Sequence, residues 1–529
     1  MNNIKIFVAD DVNEDKLSPL LEAGFTVEKE TKLGFEELAE KIKDADGVIV
    51  RSATEIRADL MDRAERLRVI GRAGVGVDNI DVKAATARGI VVMNTPDGNT
   101  ITTAEHTIAL LVSMARNIPQ AHARLQSGVW DKKSFVGVEL NGKTLGVVGL
   151  GKIGKHVAKI ARGFGMEILA FDPFVSFEQA KELGIEIGTL DDVLKRADFI
   201  TIHTPVTDET RGIVGREAFA KMKKGVRLIN CARGGLVDEA ALLEAVENGT
   251  VSAAALDVFA NEPLPPDSPL LNNPKIITTP HLGASTTEAQ EGVALTVAEQ
   301  MRDYLLTGAL RGAVNAPSMA AKELEAFQPF IELAEKLGSF QSQIMNGNPI
   351  SKVKLEFAGE LAERDAAPVT RAFLSGLLKN VSARVNVVNA LHIADERGIS
   401  VTTSYTQTRK AVNFDIRTTV ATNDAEQAAS GMVFANGEGR ITEIGNFSIE
   451  AIPNGFMLVT KNKDVPGVIG KIGVLLGAAQ VNISRFYLGR EAKGGEALAV
   501  IEIDSPLEDA VLEDLRNIEP VIAVRQIKL

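Results

Sequence analysis

The run Gly149-Leu150-Gly151-Lys152-Ile153-Gly154 constrains this chain more than any other stretch. A Gly-x-Gly-x-x-Gly alone is weak, because a glycine-rich turn often only closes a loop. Here the apolar run Leu145-Gly146-Val147-Val148-Gly149 leads into it as a strand, a helix follows, and Asp172 ends the next strand, Glu167–Asp172. In that setting the glycines let backbone N–H groups approach a pyrophosphate at the positive end of the helix, and the carboxylate accepts hydrogen bonds from ribose hydroxyls. A carboxylate there repels a 2′-phosphate, so the site is predicted to take NAD rather than NADP.

Strand and helix patterns alternate on both sides of this turn. Before it, strand-like runs at Ile4–Val8, Gly47–Val50, Val69–Ile70 and Ile90–Met93 interleave with helical stretches at Lys16–Ala23, Phe35–Lys43 and Val82–Arg88. One long helix is expected over Thr100–Leu125. After the turn, buried strands are expected at Phe199–His203, Val226–Asn230 and Ala253–Asp257. Ser285-Thr286-Thr287-Glu288 reads as a capping box opening a helix to about Leu306. This rhythm predicts parallel sheets in an α/β protein. Residues 311–320 look like a linker; after them come Ala-rich helices, β-branched runs and an Asn436-Gly437 turn.

At 529 residues the chain is too long for one hydrophobic core, and three or four domains are expected. A net charge of −12 disfavours nucleic acid or an anionic membrane surface as partner, and no apolar run approaches a membrane span. The lead Met1-Asn2-Asn3-Ile4-Lys5 lacks the pattern of a signal peptide. Cys231 is the single cysteine, so no intrachain disulfide can form, and a reducing, cytoplasmic setting is expected. The six histidines show no metal-ligand spacing, so no metal is expected.

Three later segments put polar residues where strands end, the place open α/β sheets reserve for chemistry. They are Asn230-Cys231-Ala232-Arg233-Gly234-Gly235, Asp257-Val258-Phe259-Ala260-Asn261-Glu262-Pro263 and Thr279-Pro280-His281-Leu282-Gly283. Oxidation of a 2-hydroxy acid needs a base for the hydroxyl proton, a cation for the carboxylate and a hydride acceptor. His281, Arg233 and NAD can fill those roles, with Glu262 orienting the imidazole and raising its basicity. Each has a plainer reading as a turn or surface residue, and spacing alone does not bring the three together. Nothing near Cys231 looks built to activate it, so it reads as structural.

Together these segments resemble the D-isomer-specific 2-hydroxyacid dehydrogenase family. Gly149–Pro173 matches its nucleotide signature, and Asp198–Thr210 and Met222–Asp238 match its two later ones. The resemblance covers residues 1 to about 315. It implies a catalytic triad of Arg233, Glu262 and His281, and a cofactor site of Gly149, Gly151, Lys152, Ile153, Gly154, Asp172, Thr204, Cys231, Ala232, Arg233, Asp257, His281 and Gly283. It also implies two doubly wound lobes, Rossmann-like and flavodoxin-like. A split substrate-binding domain (1–97 and 283–316) would enclose an inserted NAD-binding domain (98–282), with the cleft between them.

The remaining third narrows the resemblance to the phosphoglycerate-oxidising branch. Residues 317–452 resemble the intervening α+β domain of its long form. Residues 453–529, with Phe456–Lys461 as a strand, Val465-Pro466-Gly467 entering a helix and Val481-Asn482-Ile483 opening the next strand, resemble a ferredoxin-like βαββαβ ACT-type domain. The resemblance implies 3-phosphoglycerate and 3-phosphohydroxypyruvate as substrate and product, held by Arg51, Ser52, Gly74, Val75, Gly76, Arg233 and His281. Lys132, on the Trp130–Lys133 segment, would reach a neighbouring subunit's phosphate site; its plainer reading is a solvated loop. L-serine would bind as effector at Asn462, Asp464 and Asn482, in a homo-oligomer (dimer or tetramer). Some short serine-inhibited enzymes carry His where this chain has Asn462. Two alternatives stay open: another 2-hydroxyacid reductase acting on glycerate, hydroxypyruvate or 2-oxoglutarate, and a non-enzymatic NAD-sensing interaction protein.

Overall fold

In the computed structural model, residues 4–271, 273–319, 321–345, 349–380, 384–406, 414–423 and 425–529 are described; the Met1-Asn2-Asn3 lead lies outside them. Strands β1 (Lys5–Val8), β2 (Thr26–Lys29), β3 (Gly47–Val50), β4 (Val69–Arg72) and β5 (Val91–Met93) form an all-parallel sheet in the order β2-β1-β3-β4-β5. This is the flavodoxin-like winding. β2 was not read from the sequence, because Thr-Val-Glu-Lys on a sheet edge buries little apolar surface.

A second parallel sheet contains β6 (Thr144–Val148), β7 (Glu167–Phe171), β8 (Glu186–Ile187), β9 (Phe199–Ile202), β10 (Val226–Asn230), β11 (Val251–Leu256) and β12 (Ile276–Thr278). Its order is β12-β11-β10-β9-β6-β7-β8. The chain reverses direction across the sheet between β6 and β9, so the crevice outside their carboxyl ends is the topological switch point.

The expected helix over Thr100–Leu125 is two helices, Thr100–Ala115 and Ile118–Gln126. Pro119 cannot donate to a carbonyl one turn back and its ring would crowd it, so the first helix ends and Asn117 turns left-handed at φ 53°. The capping box also shifts by one residue. Thr286, not Ser285, accepts the Ala289 N–H, and the helix Thr287–Thr307 ends at the left-handed Gly308. This helix returns to the first sheet and buries Val293, Val297 and Met301 in a core shared with Ile6, Ile49 and Val69. Of the expected linker, residues 313–315 are stitched to the first sheet. Val314 donates to the Val92 carbonyl, and Asn315 bonds the Val92 N–H and the Ile90 carbonyl.

Strands β13 (Ile350–Ala358), β14 (Ser400–Thr406), β15 (Ile416–Thr422), β16 (Glu426–Val433), β17 (Gly439–Ile444) and β18 (Phe447–Ala451) form a mixed sheet, order β14-β13-β15-β16-β17-β18. Helices Ala321–Ile344 and Ala367–Leu378 pack with it around Phe340, Phe357 and Phe373. The last sheet, β19 (Phe456–Lys463), β20 (Ile483–Arg490), β21 (Glu496–Ile503) and β22 (Val521–Lys528), is antiparallel in the order β20-β21-β19-β22. With helices Val468–Ala478 and Asp509–Arg516 this is the βαββαβ arrangement expected of an ACT-type unit. Among the described residues no helix is long and apolar enough to cross a membrane.

One joint binds the mixed-sheet region to the first lobe. Val388 is buried in the first lobe's core, and Asn386 donates to the Gly89 carbonyl at 2.8 Å. Arg371 holds the Val387 and Val388 carbonyls from the other side. Val388→Asp would bury an unpaired charge there and should cost at least about 3 kcal/mol. The first urea transition should move to lower concentration; an unmoved midpoint would mean that the joint does not form in solution.

Candidate active site

The candidate residues of the cleft are carried by strand ends and the loops that follow them. At the end of β10, buried Asn230 accepts the Ala232 N–H at 3.0 Å and donates to the Arg233 carbonyl at 2.9 Å. That reciprocal pair fixes the turn carrying Arg233. The Arg233 guanidinium then reaches across to the first lobe, where its Nε donates to Asp78 Oδ2 at 3.2 Å. A Cβ on Gly76 would overlap this guanidinium, which is the physical reason for a glycine at that position.

His281 follows β12 in a left-handed conformation, φ 55°. Its Nδ1 lies 2.6 Å from Glu262 Oε2, and Glu262 Oε1 accepts the Phe259 N–H at 3.0 Å. Partial burial would raise the Glu262 carboxyl, but the hydrogen bonds from His281 and Phe259 outweigh it and hold the group below its usual range. Ionised Glu262 can only accept, so Nδ1 carries a proton, and in the neutral imidazole Nε2 is the nitrogen left with a lone pair. Among the described residues Nε2 makes no hydrogen bond of its own.

Asp257, fully buried at the end of β11, organises the loop around His281. Its side chain accepts from the Thr279 hydroxyl at 2.6 Å and from the Leu282 and Gly283 N–H groups, each at 2.8 Å. Its carbonyl accepts the His281 N–H at 2.9 Å.

The glycine turn has the form an NAD pyrophosphate requires. Gly151 caps the helix Lys152–Gly163, with open space where a side chain would stand. A Cβ on Gly154 would strike the Gly149 carbonyl, so the helix can pack this closely only with glycine there. Asp172 accepts the Leu150 N–H at 2.8 Å and the Phe174 N–H at 2.9 Å, tying the turn to the end of β7. Beside Gly149, the buried Thr204 hydroxyl and His203 Nδ1 have no partner among the described residues. Unpaired buried polar atoms at a switch point fit a polar ligand. Burial pulls His203 down to about 4, so it is neutral there. Lys152 pairs with Asp97 of the first lobe.

In the first lobe, buried Asp10 accepts the Arg51 N–H at 2.6 Å and the Thr54 hydroxyl at 2.6 Å, shaping the turn that carries Arg51 and Ser52. Arg51 lines a cavity of about 200 Å³ with Asp11, Asn13, Ala73, Gln290 and Glu291. The 74–76 turn is held by Asn94, which donates to the Val75 carbonyl at 2.5 Å, and by the Thr95 N–H on the Gly74 carbonyl.

Arg72 heads that turn, a segment the sequence already marks as a strand end suited to an anionic substrate, but it was not assigned to the substrate pocket. Its side chain is partly buried, and among the described residues Nε has no partner. Burial, together with the nearby charges of Arg233 and Arg51, pulls it down to about 10, so it stays charged at neutral pH. Arg72 thus lies within electrostatic reach of Arg51 in its own lobe and of Arg233 in the other, an arrangement that favours a multiply charged anion beside it. A charged residue closing a buried strand was the signal available.

Other candidates stand apart. Lys132 is exposed, and among the described residues its ammonium has no partner. Ser52 is likewise exposed. Asp464 accepts the Gly494 N–H at 3.1 Å and faces Arg490, Asn482 donates to Asp504 at 2.8 Å, and Asn462 is buried and donates to the Lys463 carbonyl. No hydrogen bond joins these three to one another. Among the described residues no group of three or more His, Cys, Asp or Glu could hold a metal ion.

Cys231 is buried under the Thr100–Ala115 helix, and burial pushes its thiol up to about 12. It should resist iodoacetamide at pH 8 in native protein and react once urea exposes it. Rapid native alkylation would overturn the structural reading of this residue.

Comparison with known proteins places these features in context. Residues 108–283 match the family described as D-isomer specific 2-hydroxyacid dehydrogenase, NAD binding domain. Residues 326–445 match the D-3-phosphoglycerate dehydrogenase intervening domain, and residues 456–520 match the ACT domain. The D-3-phosphoglycerate dehydrogenase of Bacillus subtilis is 43% identical over 526 residues, 99% of each chain. That of Methanocaldococcus jannaschii is 44% identical over 528 residues, 99% of this chain and 100% of the relative. Among solved structures, a glyoxylate reductase from Paecilomyes thermophila covers 59% of this chain and 99% of its own, with TM-score 0.55 and 31% identity. D-lactate dehydrogenase from Aquifex aeolicus, complexed with NAD and lactic acid, covers 59% and 100%, with TM-score 0.52 and 28% identity.

Proposed function

Because the chain belongs to the D-3-phosphoglycerate dehydrogenase family, we propose that its cleft oxidises 3-phospho-D-glycerate to 3-phosphohydroxypyruvate, the first step of L-serine biosynthesis, with NAD as cofactor. The observation that carries the substrate reading is the trio Arg51, Arg72 and Arg233. An unphosphorylated hydroxy acid brings one carboxylate, which a single arginine and the 74–76 N–H groups can hold. A phosphorylated one adds a dianion that calls for further guanidiniums.

In this reading Arg233 holds the carboxylate and the C2 oxygen, and Arg51 and Arg72 face the phosphate. His281 takes the C2 hydroxyl proton on Nε2 during oxidation and returns it during reduction. Glu262 fixes the ring tautomer and stabilises the imidazolium that forms. NAD, when bound, would supply the hydride acceptor; the glycine turn, Lys152, Asp172 and Thr204 would hold it. Closure of the two lobes on bound substrate would keep water from the reacting atoms.

The ACT-type unit supports regulation by a small amino acid, and serine, the pathway's product, is our assignment. Asp464 would take its ammonium group, and Asn482 its carboxylate or hydroxyl. ACT-type sheets commonly pair across a subunit interface, so a dimer or tetramer is part of the reading, as is Lys132 reaching a neighbour's phosphate site. The single buried cysteine fits a reducing cytoplasm.

Purified protein should consume NADH with 3-phosphohydroxypyruvate, and L-serine should suppress that consumption. Activity only on unphosphorylated 2-oxo acids would replace the substrate. His281→Asn should lower kcat by about 10²–10⁴-fold with NADH binding near normal; retained turnover would remove His281 from the mechanism. Asp464→Ala should weaken serine binding by about 10-fold or more without changing uninhibited turnover. Unchanged serine affinity in a titration would discard the effector site.

A further inference from the structure

The Thr100–Ala115 helix touches the catalytic loop through one face. Thr103 donates its hydroxyl to the Gly283 carbonyl at 2.8 Å. One turn on, His106 Nε2 lies 3.2 Å from Asp257 Oδ1 and 3.3 Å from Thr279 Oγ1. Residues spaced by three share a helix face, so both contacts land on the same loop. The proton positions follow by elimination. The Thr279 hydroxyl already donates to Asp257 at 2.6 Å, so towards His106 it can only accept. Nε2 therefore carries hydrogen and points it at the carboxylate.

That carboxylate is an unusual thing to bury. Asp257 has no exposed surface, and among the described residues His106 is the one basic side chain within 4 Å of it. Burial raises its pKa, yet the group is held below the usual range, by the hydrogen bonds from His106, Thr279 and Leu282. Asp257 in turn holds the loop through the Thr279 hydroxyl and the N–H groups of His281, Leu282 and Gly283. His281 itself sits at a positive φ, a conformation that costs free energy for a residue with a Cβ and persists only where its surroundings impose it.

We propose that His106 is a positioning residue for the reaction: its Nε2–H holds the Asp257 carboxylate in place, and through it the loop that presents His281. The helix carrying His106 begins where the chain leaves the first lobe, and residues 282–284 are where it goes back. The His106–Asp257 and Thr103–Gly283 contacts therefore pin the two crossings together, directly beside the acid–base group. His106 acts through Asp257 and needs no contact with substrate. The inference rests on the dehydrogenase reading of the cleft.

The test compares His106→Leu, which removes the donor, with His106→Gln, whose amide can restore a hydrogen bond to Asp257. The Leu variant should lose about 30-fold or more in kcat for NADH-dependent reduction, since a displacement of about 1 Å at a reacting group costs on the order of 10²-fold. KM for the 2-oxo acid should change little. The primary isotope effect with NADH deuterated at C4 should rise as the chemical step becomes limiting. The Gln variant should recover most of kcat. Equal losses in Leu and Gln, a loss confined to KM, or full activity in Leu would each overturn the proposal. Should the Leu variant fail to fold, His106→Asn, whose amide is too short to reach Asp257, takes its place. The assay uses whichever 2-oxo acid the wild type reduces. Inactivity on 3-phosphohydroxypyruvate alone therefore counts against the substrate reading and not against His106, whereas inactivity on every 2-oxo acid overturns both.

Discussion

Asp257 has no surface in contact with solvent, and its side chain accepts hydrogen bonds from Thr279, Leu282 and Gly283. A buried carboxylate is costly unless its oxygens are satisfied, and here they are satisfied by the loop that must be held still. Without those bonds nothing in the pattern Thr-Pro-His-Leu-Gly compels His281 into its left-handed conformation. Glu262 could not then meet the Nδ1 edge of the ring at 2.6 Å. The His281–Glu262 pair thus depends on a charge at the end of β11, close to Glu262 in sequence but far from His281.

The two lobes divide the remaining electrostatics. Arg51 and Arg72 belong to the first sheet, Arg233 to the second, and among the described residues the hydrogen bond that carries Arg233 across is the one to Asp78. Both partners of that pair are partly solvated, so the bond itself contributes little stability. Its value is positional. It points the guanidinium under Gly76, where a side chain would exclude it. Cations from separate lobes repel when the cleft is empty of anions, and a dianionic substrate reverses that sign. Ligand charge is accordingly a force for bringing the lobes together.

Local patterns were the most legible part of this chain. The glycine turn, its strand and helix, and Asp172 lie within one βαβ unit, so their geometry follows from neighbours in sequence. The alternation of strands and helices foretold both parallel sheets for the same reason. Boundaries failed where one residue decides: Pro119 broke a helix that apolar periodicity would have continued, and Thr286 took the cap from Ser285. The site was legible in residue types but not in contacts. Arg233 meets Asp78 across 155 residues, and His106 meets Thr279 across 173. A histidine inside an apolar helix carries no local mark of its partner. Arg72 was in plain view at a strand end, yet only its burial beside two other guanidiniums distinguishes it from a surface arginine.

The C-terminal third is not hung on a tether. Met457, Val459, Leu498, Val500 and Ile527 of the ACT-type sheet lie in the same apolar cluster as Leu337, Phe340 and Phe373. Gln343 and Lys528 exchange two hydrogen bonds of 2.9 Å across the same seam. At its far side this body inserts Val388 into the core that supports β1, β3 and β4. Packed interiors transmit displacement because they have few voids to absorb it. A change in the ACT-type sheet therefore has a close-packed route to the strands bearing Arg51 and Arg72. The acid–base pair and the cofactor turn lie on the other lobe, joined to the first by the two crossings and by the Arg233–Asp78 and Lys152–Asp97 pairs. An effector acting along this route would alter how Arg51 and Arg72 stand relative to His281, leaving the internal geometry of His281, Glu262 and Asp257 intact.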